Sequence, residues 1–290
     1  ALAEAIQHAY QQLVELRDDV NSTIKTKVND INDIATNIAD LNKQIMAIKI
    51  SGQQPNDLLD KRDLLLDQLS ELGDIKIYEE SNGSISVQLG NRELVEGDRI
   101  NKLETKSDDE GMYMVIWSDT GQRIQLKGGS LLGLLDSRGK TSFLDEREPS
   151  EYKEIIPNMI SNLNSLAKSL VVRVNEIHRG GYSLNNKGPH PDGTDFFSVP
   201  AGKDPDMIEN WAQIIEVNSL IQNDSKNIAA ASNRTWNLNS SGEYEKANFG
   251  DGSNALKIAE LKHDLNKVKY SFKTEGLNIN FDSHDPLVIR

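Results

Sequence analysis

Between Leu13 and Ile48 aliphatic residues recur at every third or fourth position, with polar and charged residues between them. The series is Leu13, Leu16, Val20, Ile24, Val28, Ile31, Ile34, Ile38, Leu41, Ile45 and Ile48. Steps of three and four return side chains to one face of an α-helix, and a run this long predicts a long helix or a coiled coil. Successive steps of four from Leu16 to Val28 interrupt the alternation that a two-stranded coil needs, so the stripe fits one face of a bundle. It is either core within the chain or a seam against another subunit. At 1.5 Å rise per residue the helix would run roughly 55 Å, which predicts an elongated molecule. The pattern is already under way at Leu2, Ile6 and Ala9, so both ends read as cut inside a longer protein.

Ser51 to Pro55 supplies a loop, and Asn56 reads as the N-cap of a second helix with Asp57 in its first turn. Leu58, Leu59, Leu65, Leu66, Leu69 and Leu72 form its apolar stripe, and Gly73 ends it. The two helices read as a hairpin.

The period then drops to two. Ile75 and Ile77, then Ile85, Val87 and Leu89, alternate with polar residues around an Asn82-Gly83 turn signal. Further strands are predicted at Glu93–Val95, Met112–Trp117 and Arg123–Leu126, the last two joined across Asp119-Thr120-Gly121. Together they predict one small antiparallel sheet over 74–127. Gly128-Gly129 precedes a short helix, Ser130–Ser137, and the charged stretch to Lys153 reads as a connection. Ile156, Ile160, Leu163, Leu166, Leu170, Val174 and Ile177 then mark a long return helix, with Pro157 tolerable in its first turn and Gly180-Gly181 as its stop. Loops and short strands are predicted from Tyr182 to Asp206, a helix over Asp224–Ser232, a polar stretch over Asn233–Asp251, and a helix capped by Ser253 or Asn254 that runs through His263. The divisions that follow are 1–73 and 128–180 as helical domain, 74–127 as inserted β region, 181–252 as a mixed region with a short helix, and 253–290 as final helix and tail. The fold class is mainly α with β: an elongated helical bundle with an inserted antiparallel β domain.

Composition narrows the chemistry. A formal charge of -13 with no clustered Lys and Arg argues against nucleic acid and anionic membranes. Cysteine is absent, which excludes disulfides, thiolate nucleophiles and Cys-ligated metal. No apolar run approaches the roughly 20 residues of a membrane span, and the first residues lack the order of a secretory signal. His178, His190, Asp192 and Asp195 are competent metal ligands, but Gly188-Pro189-His190-Pro191-Asp192-Gly193 is turn chemistry and lacks the spacing of an EF-hand or a zinc helix. Asp282-Ser283-His284-Asp285 is no better, and Asp108-Asp109-Glu110 reads as solvated surface. We find no nucleophile elbow, phosphate loop or dinucleotide fingerprint, and therefore expect no catalytic residue, cofactor or metal.

Several stretches carry a resemblance when taken in order. Ile38-Ala39-Asp40-Leu41-Asn42-Lys43-Gln44-Ile45 and Gly52 are followed by Pro55-Asn56-Asp57-Leu58-Leu59-Asp60-Lys61-Arg62-Asp63. Next come Val87-Gln88-Leu89-Gly90, Leu94-Val95-Glu96-Gly97 and Gly128-Gly129-Ser130-Leu131-Leu132-Gly133-Leu134-Leu135. Val174-Asn175-Glu176-Ile177-His178 with Gly180-Gly181, Asp195-Phe196-Phe197 and Gly250-Asp251-Gly252-Ser253-Asn254-Ala255-Leu256 complete the series. In this order the chain resembles the flagellar hook-associated protein 1 family, most specifically through Pro55, Asn56, Asp57, Leu58, Leu59, Asp60, Arg62 and Asp63. Arg138-Gly139 departs from an Arg-Asp pair of the family, the chain after Lys262 matches poorly, and the family's terminal coiled-coil segments are absent.

The resemblance implies a flagellin-like axial domain and a structural subunit of the bacterial flagellum that joins hook to filament without catalysis. It implies neighbouring copies of the chain, hook protein, the second hook-filament junction protein and an export chaperone as partners. It also implies an extracellular place, reached by type III export without a cleavable signal. The alternatives are another axial protein, such as the second junction protein, or a coiled-coil scaffold or adhesin whose β region binds a ligand. On the expectation that the helices form an inner bundle and the strands lie outside it, Ile31, Ile38 and Ile45 should not pack against strands.

Overall fold

The computed structural model describes residues 1–141, 153–233, 236–238, 240–241, 244–246 and 250–263. The aliphatic ladder folds as one helix, α1 (Leu2–Ile50), and α2 (Asn56–Leu72) follows. Asn56 is the first helical residue of α2 and not its cap. The preceding Pro55, with no side-chain cap hydrogen bond, offers its carbonyl to the N–H groups of Leu58 and Leu59. Short strands come next: β1 (Ile75–Glu79), β2 (Ile85–Leu89), β3 (Arg92–Glu96), β4 (Arg99–Ile100), β5 (Leu103–Ser107) and β6 (Tyr113–Trp117). Helices α3 (Ser130–Arg138) and α4 (Ile155–Arg179) follow, then α5 (Trp211–Ile214), α6 (Ser219–Asn223), the hairpin β7 (Trp236–Leu238) and β8 (Tyr244–Lys246), and α7 (Ser253–Glu260).

The strands make two sheets over 74–127 rather than one: antiparallel β1-β2-β3-β4, and a separate β5-β6 pair in register from Leu103↔Trp117 to Ser107↔Tyr113. The strand expected over Arg123–Leu126 is reduced to a single bridge, Ile116↔Arg123, because the Asp74 carboxylate takes the Lys127 N–H and draws the chain off β6. Asn82-Gly83 does turn the β1-β2 hairpin, but as a three-residue loop. Gly83 donates to the Glu80 carbonyl, Glu80 donates to Ser84, and Gly83 holds the left-handed bulge position at φ +90. The helix expected over Asp224–Ser232 is absent. Asp224 is extended (φ -147, ψ 110) and its carboxylate accepts from the Lys226 N–H, so it caps a short 3₁₀ turn over Ser225–Asn227 instead of propagating α6. The last helix starts from Gly252 without a side-chain cap, and Leu261–His263 continue it as 3₁₀. Residues 264–290, including Asp282-Ser283-His284-Asp285, and most of the connection before Lys153 lie outside the described residues.

The chain divides into two compact units, residues 15–157 and residues 1–14 with 158–290. The core of the first unit corrects the expectation that the strands lie apart from the helix stripe. Ile24, Val28, Ile31, Ala35 and Ile38 of α1 share one buried cluster with Leu66 and Leu69 of α2, with Ile85, Val87, Leu89, Leu94, Val95, Leu103, Val115 and Trp117 of the strands, and with Leu131 and Leu135 of α3. The strands therefore roof the helix stripe instead of projecting from it. The reason lies in β2, where Ile85, Ser86, Val87 and Leu89 are all buried, so its apolar residues need a helix face to cover them. Along the stripe Ile24, Ile31, Ile38 and Ile45 are fully buried and Val28 nearly so, Leu13, Val20, Ile34, Leu41 and Ile48 are half-buried, and Leu16 is 48% exposed. The second unit has its own cluster, in which Ala3 and Ile6 of α1 meet Ala167, Val171 and Val174 of α4, Phe197, Ile208, Trp211, Ala212 and Ile215.

Side chains on both long helices also reach strand and loop backbone. Asn21 donates to the Gly111 carbonyl (2.9 Å) and accepts from the Tyr113 N–H (2.8 Å). Asn32 does the same with the carbonyl and N–H of Leu103, both at 2.9 Å. On α4, Asn175 grips Phe197 (2.9 and 2.8 Å), and Asn164 accepts from the Ala212 N–H. The spacings of about three helical turns keep each set on one face. Asp108 is also buried. Its carboxylate accepts from Glu110 and Met112, so the acidic run is a capped turn and not merely solvated surface.

Ile38→Ala removes a fully buried side chain at the helix–sheet contact and should lower unfolding stability by about 2–5 kcal/mol in urea titrations, whereas Leu16→Ala should stay within about 0.5 kcal/mol. A second test concerns Arg92, whose guanidinium forks onto Asp119 (2.8 and 2.5 Å) beside Trp117. That hydrogen bond holds the Asp119 carboxyl below its ordinary value of 3.8. A group whose folded-state value is depressed stabilises the fold above its unfolded value and loses that effect as the pH falls through the folded one. The melting-temperature gap between the protein and Asp119→Asn should therefore be constant near neutrality and close as the pH drops below about 4.

Candidate functional site

The residues that carry the resemblance most specifically surround a buried polar knot. Pro55, just before α2, and Arg62 within it are buried, Asn56, Asp57, Asp60 and Asp63 are exposed, and Leu58 and Leu59 are half-buried. Arg62, 5% exposed, donates from one terminal nitrogen to the Asn42 side-chain oxygen and to the Gly83 carbonyl, both at 3.0 Å. Asn42, fully buried, donates to the carbonyls of Ile85 (2.8 Å) and Gly97 (2.7 Å) and accepts from the Ile85 N–H (3.2 Å). One asparagine and one arginine thus join α1, α2, the β1-β2 turn and the end of β3. Burial pushes the guanidinium below its ordinary value, offset in part by the nearby charges of Asp63 and Glu79. The apolar periodicity of α1 gave no sign of this knot. The signal was an asparagine inside an aliphatic stripe, three turns beyond Asn32.

The second unit has a counterpart around His178, at the end of α4 and fully buried. Its Nδ1 lies 2.5 Å from the Thr194 carbonyl, which can only accept, so Nδ1 carries the proton; Nε2 accepts from the Ala229 N–H at 2.9 Å. Asn254 donates to the carbonyls of Ile177 and Ala229. The backbones approach so closely that a Cβ on Gly181 would lie 2.3 Å from Asn254 Nδ2, and one on Gly193 would lie 1.7 Å from the His178 carbonyl oxygen. Two of the other metal candidates are spent on structure as well, and His190 is exposed. Asp192 accepts from the N–H and hydroxyl of Ser183, and Asp195 pairs with Arg179. Burial raises the Asp192 carboxyl, but hydrogen bonds from Ser183 and Asn186 outweigh it and leave the group below its ordinary value. Among the described residues no three His, Cys, Asp or Glu side chains are gathered as a metal would require.

One open surface belongs to the second unit, an apolar groove of about 590 Å³ with Leu2, Leu166, Leu170, Val174, Phe196 and Leu261 along its walls and Arg173 and Lys262 among its lining. Leu2 and Leu166 are 60% and 52% exposed there. Its lining is aliphatic and aromatic apart from Ser169, Arg173 and Lys262. No helix among the described residues is long and apolar enough to cross a membrane.

Because the Arg62–Asn42 knot is mutually dependent, Asn42→Leu and Arg62→Met should each cost about 3–5 kcal/mol in denaturant unfolding by leaving buried partners unpaired, and the double variant should cost clearly less than their sum. Additive losses would show that the two residues act separately.

Residues 1–197 match the family described as "Flagellar hook-associated protein FlgK helical domain". The chain is 27% identical over 282 residues to flagellar hook-associated protein 1 of Bacillus subtilis, covering 90% of this chain and 51% of that protein. It is 29% identical over 211 residues to the Escherichia coli protein of the same name, covering 69% and 35%. The chain therefore spans about half the length or less of these relatives. The flagellar hook junction protein FlgK from Burkholderia pseudomallei superposes with a TM-score of 0.51 at 29% identity, over 69% of this chain and 35% of that one. With well over half its length matched to the helical domain, the chain belongs to the FlgK family of flagellar hook-associated proteins.

Proposed function

We propose that this chain is a structural subunit of the bacterial flagellum that joins hook to filament through helical self-assembly and transmits torque without catalysis. The observation that carries this reading is the family match over 1–197, which takes in α1 through α4 and the Arg62 knot. A torque-bearing subunit needs elements that hold register under load. The asparagine grips and the knot supply that here, because they fix strand, loop or short-helix backbone to a long helix by directional bonds and not by apolar contact alone. We read the α1 stripe from Ile24 to Ile45 as core within the chain. The partners are neighbouring copies, hook protein, the second junction protein and an export chaperone, and the place of action is outside the cell.

The match covers 51% of the B. subtilis relative, so contacts made through the rest of such a protein lie outside the matched residues, and the charge of -13 opposes crowding. Sedimentation should find this chain monomeric at micromolar concentration, whereas a chain extended to the length of its relatives should assemble or bind hook protein. A defined oligomer of the short chain that ignores hook protein would overturn the reading in favour of an independent scaffold.

A further inference from the structure

Asn82 is the one asparagine in the sequence followed by glycine. This pair is chemically unstable because glycine has no side chain to shield its amide nitrogen. That nitrogen can attack the asparagine side-chain carbonyl, forming a C–N bond, expelling ammonia and leaving a five-membered succinimide. Water then opens the ring at either carbonyl, giving aspartate or isoaspartate. Asn82 is solvent-exposed, so water and base reach it, but in the folded turn both reacting groups are engaged. The Gly83 N–H donates to the Glu80 carbonyl (2.9 Å), and the Asn82 side-chain oxygen accepts from the N–H and hydroxyl of Ser84 (2.9 and 2.7 Å). Arg62 holds the same residue through its carbonyl, in the next peptide unit, at 3.0 Å.

We propose that Asn82 is a spontaneous modification site of this chain, kept nearly silent by the Arg62 latch on Gly83. Reaction requires the turn to open, and opening requires Arg62 to release a buried carbonyl. The two products differ in consequence. Aspartate keeps the acceptor that Ser84 uses and leaves the turn intact. Isoaspartate adds a methylene to the main chain beside Gly83, displaces the carbonyl that Arg62 holds, and so loosens the knot that joins α1, α2 and the hairpin.

The test follows site-resolved mass spectrometry, with isoaspartate told from aspartate by electron-transfer fragmentation, during incubation in mildly alkaline buffer. In denaturant, Asn82 should convert faster than any other asparagine of the chain. In the native protein it should be slower by at least about tenfold, and Arg62→Lys, which keeps the charge but is one bond too short to set its nitrogen where the terminal guanidinium nitrogen sits, should recover about tenfold in rate, the equivalent of one charge-assisted hydrogen bond. Should Arg62→Lys fail to fold, the native-against-denatured ratio decides alone. Equal rates in the two states, an unchanged rate in a folded Arg62→Lys, or faster conversion at another asparagine would each overturn the proposal. Asn82→Asp should melt with the unaltered protein; a large drop would contradict the distinction between the products.

Discussion

An α-helix satisfies its own backbone, so it has no main-chain groups with which to hold a strand beside it, while the ends and edges of short strands present N–H and C=O groups that need partners when buried. The side-chain amide of asparagine carries both a donor and an acceptor and so can replace a neighbouring strand. Asn21, Asn32 and Asn42 do this along α1, toward Tyr113, Leu103 and Ile85. Asn175 does it along α4, toward Phe197, while Asn164 accepts from the Ala212 N–H in the first turn of α5. Each grip fixes register, since a strand slipped by one residue would turn its N–H and C=O away. Hydrophobic burial supplies most of the stabilisation in both cores, but by itself it would allow the strands to slide over an aliphatic stripe.

Arg62 carries this logic at greater risk. A guanidinium 95% withdrawn from water loses much of its hydration, and its Nε has no hydrogen-bond partner among the described residues. The bonds to Asn42 and Gly83 offset part of that cost. What the arrangement gains is mutual dependence. Helix α2 is tied to the β1-β2 turn through the Gly83 carbonyl, and Gly83 holds the left-handed conformation in that turn. Local turn chemistry and long-range packing are thereby tied to one residue.

The long helices, the hairpin period and the helix stops could be read from the chain because they rest on local spacing. Leu2–Ile50, Ile155–Arg179 and the strands from Ile75 to Leu89 all follow from periodicity. What could not be read rests on partners far along the chain. Nothing near Arg123 announces that Asp74 will take the Lys127 N–H. Asp224 looks like an ordinary helical residue until its carboxylate caps its own backbone. That the strands would cover the α1 stripe followed from β2, whose buried Ser86 disguised a two-faced buried strand as an alternating one.

The stretches through which the family resemblance is visible can now be understood physically. They include Asn42, Arg62, Asn175, His178, Gly181 and Asn254, and each of these is buried in a polar contact or a close backbone approach. Aliphatic core positions accept exchanges of similar volume at modest cost, so a core can diverge in sequence while keeping its shape. A buried donor or acceptor has no such freedom, because removing its partner strands it without water. The long aliphatic ladder is a pattern that many unrelated helices could share, whereas these buried polar contacts tie particular residues to particular backbone partners.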